Sequence, residues 1–301
     1  MGTMRVAISG TTGLVGQALC ERLDRDGHEA LKLVRRPTAS DAEIQWDASG
    51  GTLESDKLNG TAAVVHLAGE NIAAGRWTTA KKSRIRESRV QGTQVLAEAL
   101  AGLACPPQVF VAASAIGYYG DRGDELCLET TSPGQGFLPE VCVAWERATQ
   151  PAIDAGIRIV NLRIGMVLSR RGGALKQMLL PFQLGAGGRI GHGRQYWSWT
   201  TLDDLVGVII RCLADESLAG PVNVVTPHPV TNREFTKSLG NVLHRPTLFP
   251  MPAPLARIAF GEMTDALILA SARVAPGRLN EHGYAFQHAT IDDAFRHLFG
   301  Q

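Results

Sequence analysis

Met4-Arg5-Val6-Ala7-Ile8-Ser9-Gly10-Thr11-Thr12-Gly13-Leu14-Val15-Gly16 decides the reading of this 301-residue chain. Met4–Ser9 is a short apolar run that reads as a buried strand, and Leu14–Arg25 carries apolar residues at helical spacing. Between them the glycines fall as G-x-x-G-x-x-G. One glycine permits a tight turn, and another lets backbone N–H groups approach a pyrophosphate. The third lets the helix pack closely on the sheet, aiming its positive end at the anion. Such a run taken alone is also compatible with an ordinary glycine turn. At the first strand–helix junction it points to a dinucleotide.

Working outward, strands and helices alternate. Glu29–Val34 reads as a strand after the Gly27-His28 turn, Ala62–Ala68 as another, and Thr78–Leu100 as a long helix. Strand Gln108–Ala113, helix Leu138–Ala155 and strand Ile157–Leu162 follow. This pattern predicts an α/β fold, a Rossmann-type doubly wound parallel sheet over residues 4–165, with 201–225 returning to it. After Gly165 the rhythm breaks. A glycine-rich stretch, Ser169–Gly193, holds a helix candidate at Ala174–Leu184; Trp197–Thr200 looks strand-like and Leu202–Ala214 helical. Val222–Val225, a helix begun by Thr231, prolines 246, 250, 252 and 254, and two further helices complete the chain. The last helix is capped by Thr290 with Asp292 and Asp293 in its first turn. Residues 166–301 are expected to form a smaller C-terminal α/β lobe on the substrate side.

Composition excludes several classes. Hydrophobic residues are 45% and charged residues 20%, with 30 basic against 29 acidic side chains. That is a globular balance with no charged tail, so neither nucleic acid nor membrane is an expected partner. No window approaches a membrane-spanning length, and the apolar run at the N-terminus is too short for a signal-peptide core. Cys20, Cys105, Cys127, Cys142 and Cys212 are scattered without a C-x-x-C pair, and the eight histidines show no metal-ligand spacing. No metal is expected, and the cysteines suit a reducing, cytoplasmic setting.

The second strand ends Val34-Arg35-Arg36-Pro37, where an NAD site usually offers a carboxylate to the ribose 2′-hydroxyl. Two guanidiniums there suit a 2′-phosphate, or else form a solvated basic turn. NADP(H) is favoured over NAD(H).

The glycine spacing resembles that of the extended short-chain dehydrogenase/reductases. His66-Leu67-Ala68-Gly69-Glu70-Asn71-Ile72, Ser114-Ala115-Ile116-Gly117-Tyr118-Tyr119-Gly120 and Leu179-Leu180-Pro181-Phe182 resemble an atypical subgroup. Its members are called NAD(P)-dependent epimerase/dehydratase-like or cell-division-inhibitor-like, and carry their own C-terminal domain. The resemblance covers about residues 4–299. It implies that Leu67, Ala68 and Gly69 pass the adenosine ribose and that Ala113 lies at the strand end beside the nicotinamide. Arg163-Ile164-Gly165-Met166-Val167 resembles a segment lying along that ring, with Arg163, Gly165 and Val167 as contacts. Arg89 stands where the family carries Asn; it either reaches the cofactor or is a solvated helix residue.

The superfamily's acid/base is a Tyr followed four residues later by Lys, which lowers the phenol pKa. Four residues before Lys32, Lys57, Lys81, Lys82, Lys176 and Lys237 stand His28, Leu53, Trp77, Thr78, Gly172 and Arg233. None is tyrosine. The family's Tyr-x-x-x-Lys-x-x-x-Glu frame falls on Leu138, Cys142 and Glu146. Ser114 and Tyr118 are the substitute catalytic candidates, with Arg122 as a partner for a Tyr118 phenolate; Tyr118 is otherwise a cleft-wall aromatic. Glu70 and Asn71 either face the substrate or cap the next turn. His192, Trp197 and Trp199 complete the substrate-side set, the tryptophans either stacking a sugar or pairing in the core. The expected function is an NADP(H)-binding epimerase or oxidoreductase of atypical chemistry, acting on a small polar or sugar-like metabolite. The alternative is a non-catalytic NADP(H)-binding regulator or redox sensor linked to cell division. The chain is expected to be a monomer or homodimer.

Overall fold

The computed structural model describes residues 2–47, 50 and 52–300. Its sheet strands are, in chain order, β1 (Arg5–Ser9), β2 (Glu29–Val34), β3 (Glu43–Asp47), β4 (Thr52–Leu53), β5 (Ala63–His66), β6 (Val109–Ala115), β7 (Arg158–Ile164) and β8 (Gly220–Val224). They lie in the order β8-β7-β6-β5-β1-β2-β3-β4, parallel throughout except that β4 runs antiparallel to β3. From β1 the chain winds outward through β2 and β3, then crosses back to β5 on the other side of β1. This reversal opens a crevice at the carboxyl ends of β1 and β5, the switch point where such sheets bind ligands.

Alternation along each strand builds two cores. Val6, Ile8, Val65, Val111 and Leu162 face one side, against α1 (Leu14–Arg25) and α6 (Leu202–Ala214). Ala7, Val64, Phe110 and Ile159 face the other, against α2 (Thr79–Ala101). The expected single helix Leu138–Ala155 is two pieces, α3 (Phe137–Arg147) and α4 (Gln150–Asp154). Pro151 explains the break: it has no N–H to donate, and its ring collides with the carbonyl four residues back.

Beyond the sheet, α5 (Gly173–Gln183) and α7 (Asn232–Val242) surround a third core of Leu175, Phe182, Trp199, Phe235, Leu239 and Phe295. Helices α8 (Ala253–Phe260), α9 (Gly277–Glu281) and α10 (Ile291–Phe299) complete a largely helical C-terminal region. Strands here are short: the expected Trp197–Thr200 strand is two pieces, Tyr196–Trp197 beside Val230–Thr231 and Trp199–Thr201 beside Met166–Leu168. Among the described residues, no helix is long and apolar enough to cross a membrane.

Candidate functional site

The crevice begins at the glycine run. Gly10 has a φ of +74°, and a Cβ there would lie 2.8 Å from the Leu67 carbonyl carbon. A Cβ on Gly16 would lie 2.3 Å from the Gly10 oxygen. These two glycines are needed for the backbone's own packing. Gly13 differs: its φ is −80°, it is exposed, and it caps α1 with no side chain of its own. The start of α1, flanked by Thr11, Thr12, Leu14 and Val15, has no side-chain cap and no acidic residue in its first turn, which leaves its leading amides to an anion such as a pyrophosphate.

Ser9 fixes the facing strand end. Its buried hydroxyl lies 2.6 Å from His66 Nδ1 and accepts from the Leu67 and Ala68 amides at 3.1 and 3.2 Å. His66 is fully buried, and burial pushes its pKa down to about 4, so the ring is neutral. Sequence reading placed Leu67 and Ala68 here but missed the Ser9–His66 pair that holds them. Arg89 lies across Gly69, its guanidinium carbon 3.5 Å from where a Gly69 Cβ would stand. It donates to the carbonyls of Glu70 and Ile85, both at 3.1 Å, and stacks on Trp145, so it is anchored at the crevice rather than solvated.

The two arginines after β2 are not equivalent. Arg36 grips Glu43 with two hydrogen bonds, 2.6 and 2.9 Å, and the Glu43 carboxylate also accepts from the Ala39 amide. The guanidinium holds the Glu43 carboxyl below its ordinary range. A carboxylate is therefore present at this point, supplied by β3, a strand the sequence reading did not place. Arg35 is exposed and makes no ion pair among the described residues.

At the carboxyl edge of β6 and β7, five side chains form a continuous network. Ser114 donates to Glu146 Oε1 at 2.8 Å. Arg163, opposite Ser114 in register, holds the same carboxylate through Nε at 2.8 Å and Nη2 at 2.9 Å. Its third nitrogen donates to the Tyr119 hydroxyl and the Glu129 carbonyl. Tyr118 lays its ring over the guanidinium, 3.5 Å from ring centre to Cζ. Arg163 is thus turned inward, 3% exposed, and its side chain supports the site from beneath rather than lining it. Gly165 follows with no room for a Cβ, which would sit 2.7 Å from Val225 Cγ1; Ala113 and Val167 flank the same edge.

Gly117 packs against Leu138 and Cys142, on which the sequence reading set the family's Tyr-Lys frame. Burial pushes the Cys142 thiol up to about 12, so it stays protonated and replaces no lysine. Arg122 does not pair with Tyr118: it turns to the carbonyls of Tyr119, Ser132 and Pro133. Tyr119 is buried, raised to about 12 by burial, and hydrogen-bonded to Asn223 and Leu128. The Tyr118 hydroxyl has no partner among the described residues.

The remaining candidates separate. Glu70 is bound by Lys81 at 2.6 Å, which lowers its pKa and keeps it ionised at neutral pH. Asn71 folds back on the Ala73 amide and caps a turn. His192 is exposed and accepts from the Arg194 amide. Trp199 is fully buried, so no ring face is free for a ligand, and Trp197 packs on Phe235 with its N–H on the Ile268 carbonyl. The pair belongs to the C-terminal core.

The profile of the NAD dependent epimerase/dehydratase family matches residues 6–225, and a domain of unknown function, DUF1731, matches residues 251–298. The epimerase family protein Mb2239 of Mycobacterium bovis is 42% identical over 98% of this chain and 97% of its own length. The crystal structure of human epimerase family protein SDR39U1 with NADPH superposes with a TM-score of 0.91 at 33% identity, covering 99% of this chain and all of that one. A nucleoside-diphosphate sugar epimerase from Corynebacterium glutamicum has a TM-score of 0.82 at 38% identity, over 99% of this chain and 59% of that one. With its glycine cradle, switch-point crevice and DUF1731 extension, this chain belongs to the NAD dependent epimerase/dehydratase family.

Proposed function

We propose that the protein is an NADP(H)-dependent oxidoreductase or epimerase whose proton transfers run through Tyr118, supported by the Ser114–Glu146–Arg163 network. The observation that carries this reading is the unbroken chain of contacts from Ser114 through Glu146 and Arg163 to the Tyr118 ring. It stands at the strand edge that the family resemblance puts beside the nicotinamide. A bound nicotinamide supplies or accepts hydride; proton handling is left to the side chains.

Ser114 already donates to Glu146, so its oxygen retains lone pairs for a substrate hydroxyl. Ser114, fixed by that bond, orients the reacting oxygen without itself moving the proton. Arg163 fixes that carboxylate bidentately and balances its charge. Tyr118, with an uncommitted hydroxyl, donates the proton in carbonyl reduction and, as a phenolate over the Arg163 guanidinium, takes it back in alcohol oxidation. Arg35 favours NADP(H) by meeting the 2′-phosphate, in keeping with the NADPH in the human relative's structure. The sugar-nucleotide name of the Corynebacterium relative supports a small sugar-like substrate.

A second reading, an NADP(H)-binding regulator without turnover, is favoured by Leu138 and Cys142, which put dry packing where the sequence reading set the usual catalytic pair. Consumption of NADPH against a panel of carbonyl compounds, including nucleoside-diphosphate keto sugars, separates the two. Turnover with at least one compound is expected; tight NADPH binding with no turnover establishes the regulator.

A further inference from the structure

Chain spacing hides one cluster of ligating side chains that folding assembles. Asp203 lies in the first turn of α6, His288 in the segment before α10, and His297 in the last turn of α10. One donor atom from each lies within 4.8 Å of the other two. His297 Nε2 and Asp203 Oδ2 are 2.9 Å apart, and the two imidazoles stack with centroids 4.1 Å apart at 24°. An ion holding N and O ligands at about 2.0–2.2 Å separates neighbouring donors by about 2.9–3.5 Å. The His297–Asp203 pair already has that separation, and sharing the ion requires the His288 ring to turn out of its stack on His297.

The backbone beneath the cluster is tied down by hydrogen bonds. Asp204 is fully buried, and its carboxylate accepts from the Gln287 and His288 amides at 2.8 and 3.2 Å and from the Thr201 hydroxyl at 2.9 Å. These bonds pin the His288 backbone to the start of α6. Asp293 Oδ2 stands 3.1 Å from His288 Nδ1 and orients that ring, as carboxylates do behind metal-bound imidazoles. Arg171, the cation that interacts with Asp203, is already paired with Glu21 at 2.7 Å.

We propose that Asp203, His288 and His297 bind one divalent ion of the zinc class, clamping the C-terminal helix α10 to the start of α6. Two imidazoles and one carboxylate suit zinc, cobalt or nickel rather than magnesium or calcium. Three protein ligands leave the remaining positions to water. The ion ties the segment matched by DUF1731 to the dinucleotide-binding part of the chain.

The test uses the full-length protein, stripped with a chelator and dialysed, then titrated with Co²⁺ under its visible absorption band, with Zn²⁺ and Mg²⁺ as competitors. One Co²⁺ per chain is expected, displaced by Zn²⁺ and not by Mg²⁺. Saturation with Zn²⁺ at about 100 times its Kd should raise the Tm by on the order of 5 °C. His297→Ala and Asp203→Asn should abolish saturable binding, and Asp293→Asn should weaken it about tenfold. Should His297→Ala fail to fold by circular dichroism, His297→Gln serves instead. Absence of saturable binding, equal competition by Mg²⁺, or unchanged affinity in the ligand variants overturns the site.

Discussion

Replacing Arg35 tests how the chain chooses between the two nicotinamide dinucleotides. Arg36 already spends both faces of its fork on Glu43, whereas Arg35 is exposed and uncommitted. A charge-assisted contact is worth roughly 1.5–3 kcal/mol. Solvent screening at an exposed position places this one near the lower end, a factor of about ten in affinity. Arg35→Ala should therefore weaken NADPH binding about tenfold and leave NADH unchanged. Arg36→Ala should weaken NADPH as well, through the Glu43 carboxylate that it leaves without a counter-ion. Glu43→Gln should do the opposite and strengthen NADPH, since it removes a carboxylate that would repel a 2′-phosphate bound there and frees Arg36. Titrations of both dinucleotides at low and high salt supply the numbers, and the preference should shrink as salt rises. An NADPH/NADH ratio that stays constant in Arg35→Ala, or falls in Glu43→Gln, refutes the assignment.

Two further outcomes concern stability. Glu146→Ala strands the nearly buried Arg163 guanidinium and should cost about 3–5 kcal/mol in urea unfolding, against about 1 kcal/mol for Ser114→Ala, which leaves Arg163 on the carboxylate; equal losses would argue against the network. His66, neutral in the fold because burial lowers its pKa to about 4, gains protons on unfolding below about pH 6.5. Stability should be undiminished above that pH and fall as pH drops toward 4, by about 3 kcal/mol, with the slope flattened in His66→Gln; an unchanged slope in that variant contradicts a neutral buried imidazole.

Much of this architecture was legible in the chain because local signals coincided. The glycine run, the apolar strands and the helical periodicities all favour one parallel sheet, and Thr290 with its two aspartates marks the start of α10 as expected. Strand β3 escaped because Glu43-Ile44-Gln45-Trp46-Asp47 is short and ends in charges at both sides. Only the fold shows Ile44 and Trp46 buried and Glu43 reaching back to Arg36. That omission made the Arg35–Arg36 turn look free of carboxylates.

The site was harder to read because its parts are far apart in sequence. Ser114, Glu146 and Arg163 meet only when β6, α3 and β7 pack together. Glu146 carried a signal nonetheless, as the one residue that matches the family's Tyr-Lys-Glu frame where the sequence reading set it. The tryptophans left two readings open for a physical reason: an i, i+2 pair serves equally to stack a ligand or fill a core, and burial decides for the core. Asp203, His288 and His297 follow no ligand spacing and converge only through the docking of α10.

The proton-transfer assignment is tested most directly by comparing the wild type with Tyr118→Phe, measuring NADPH affinity and NADPH-dependent carbonyl reduction in the same preparations. The substitution removes one hydroxyl and keeps the ring on Arg163, so affinity should stay within about twofold while turnover falls by about 10²–10⁴. Full turnover in Tyr118→Phe would contradict the account and move the proton donor elsewhere.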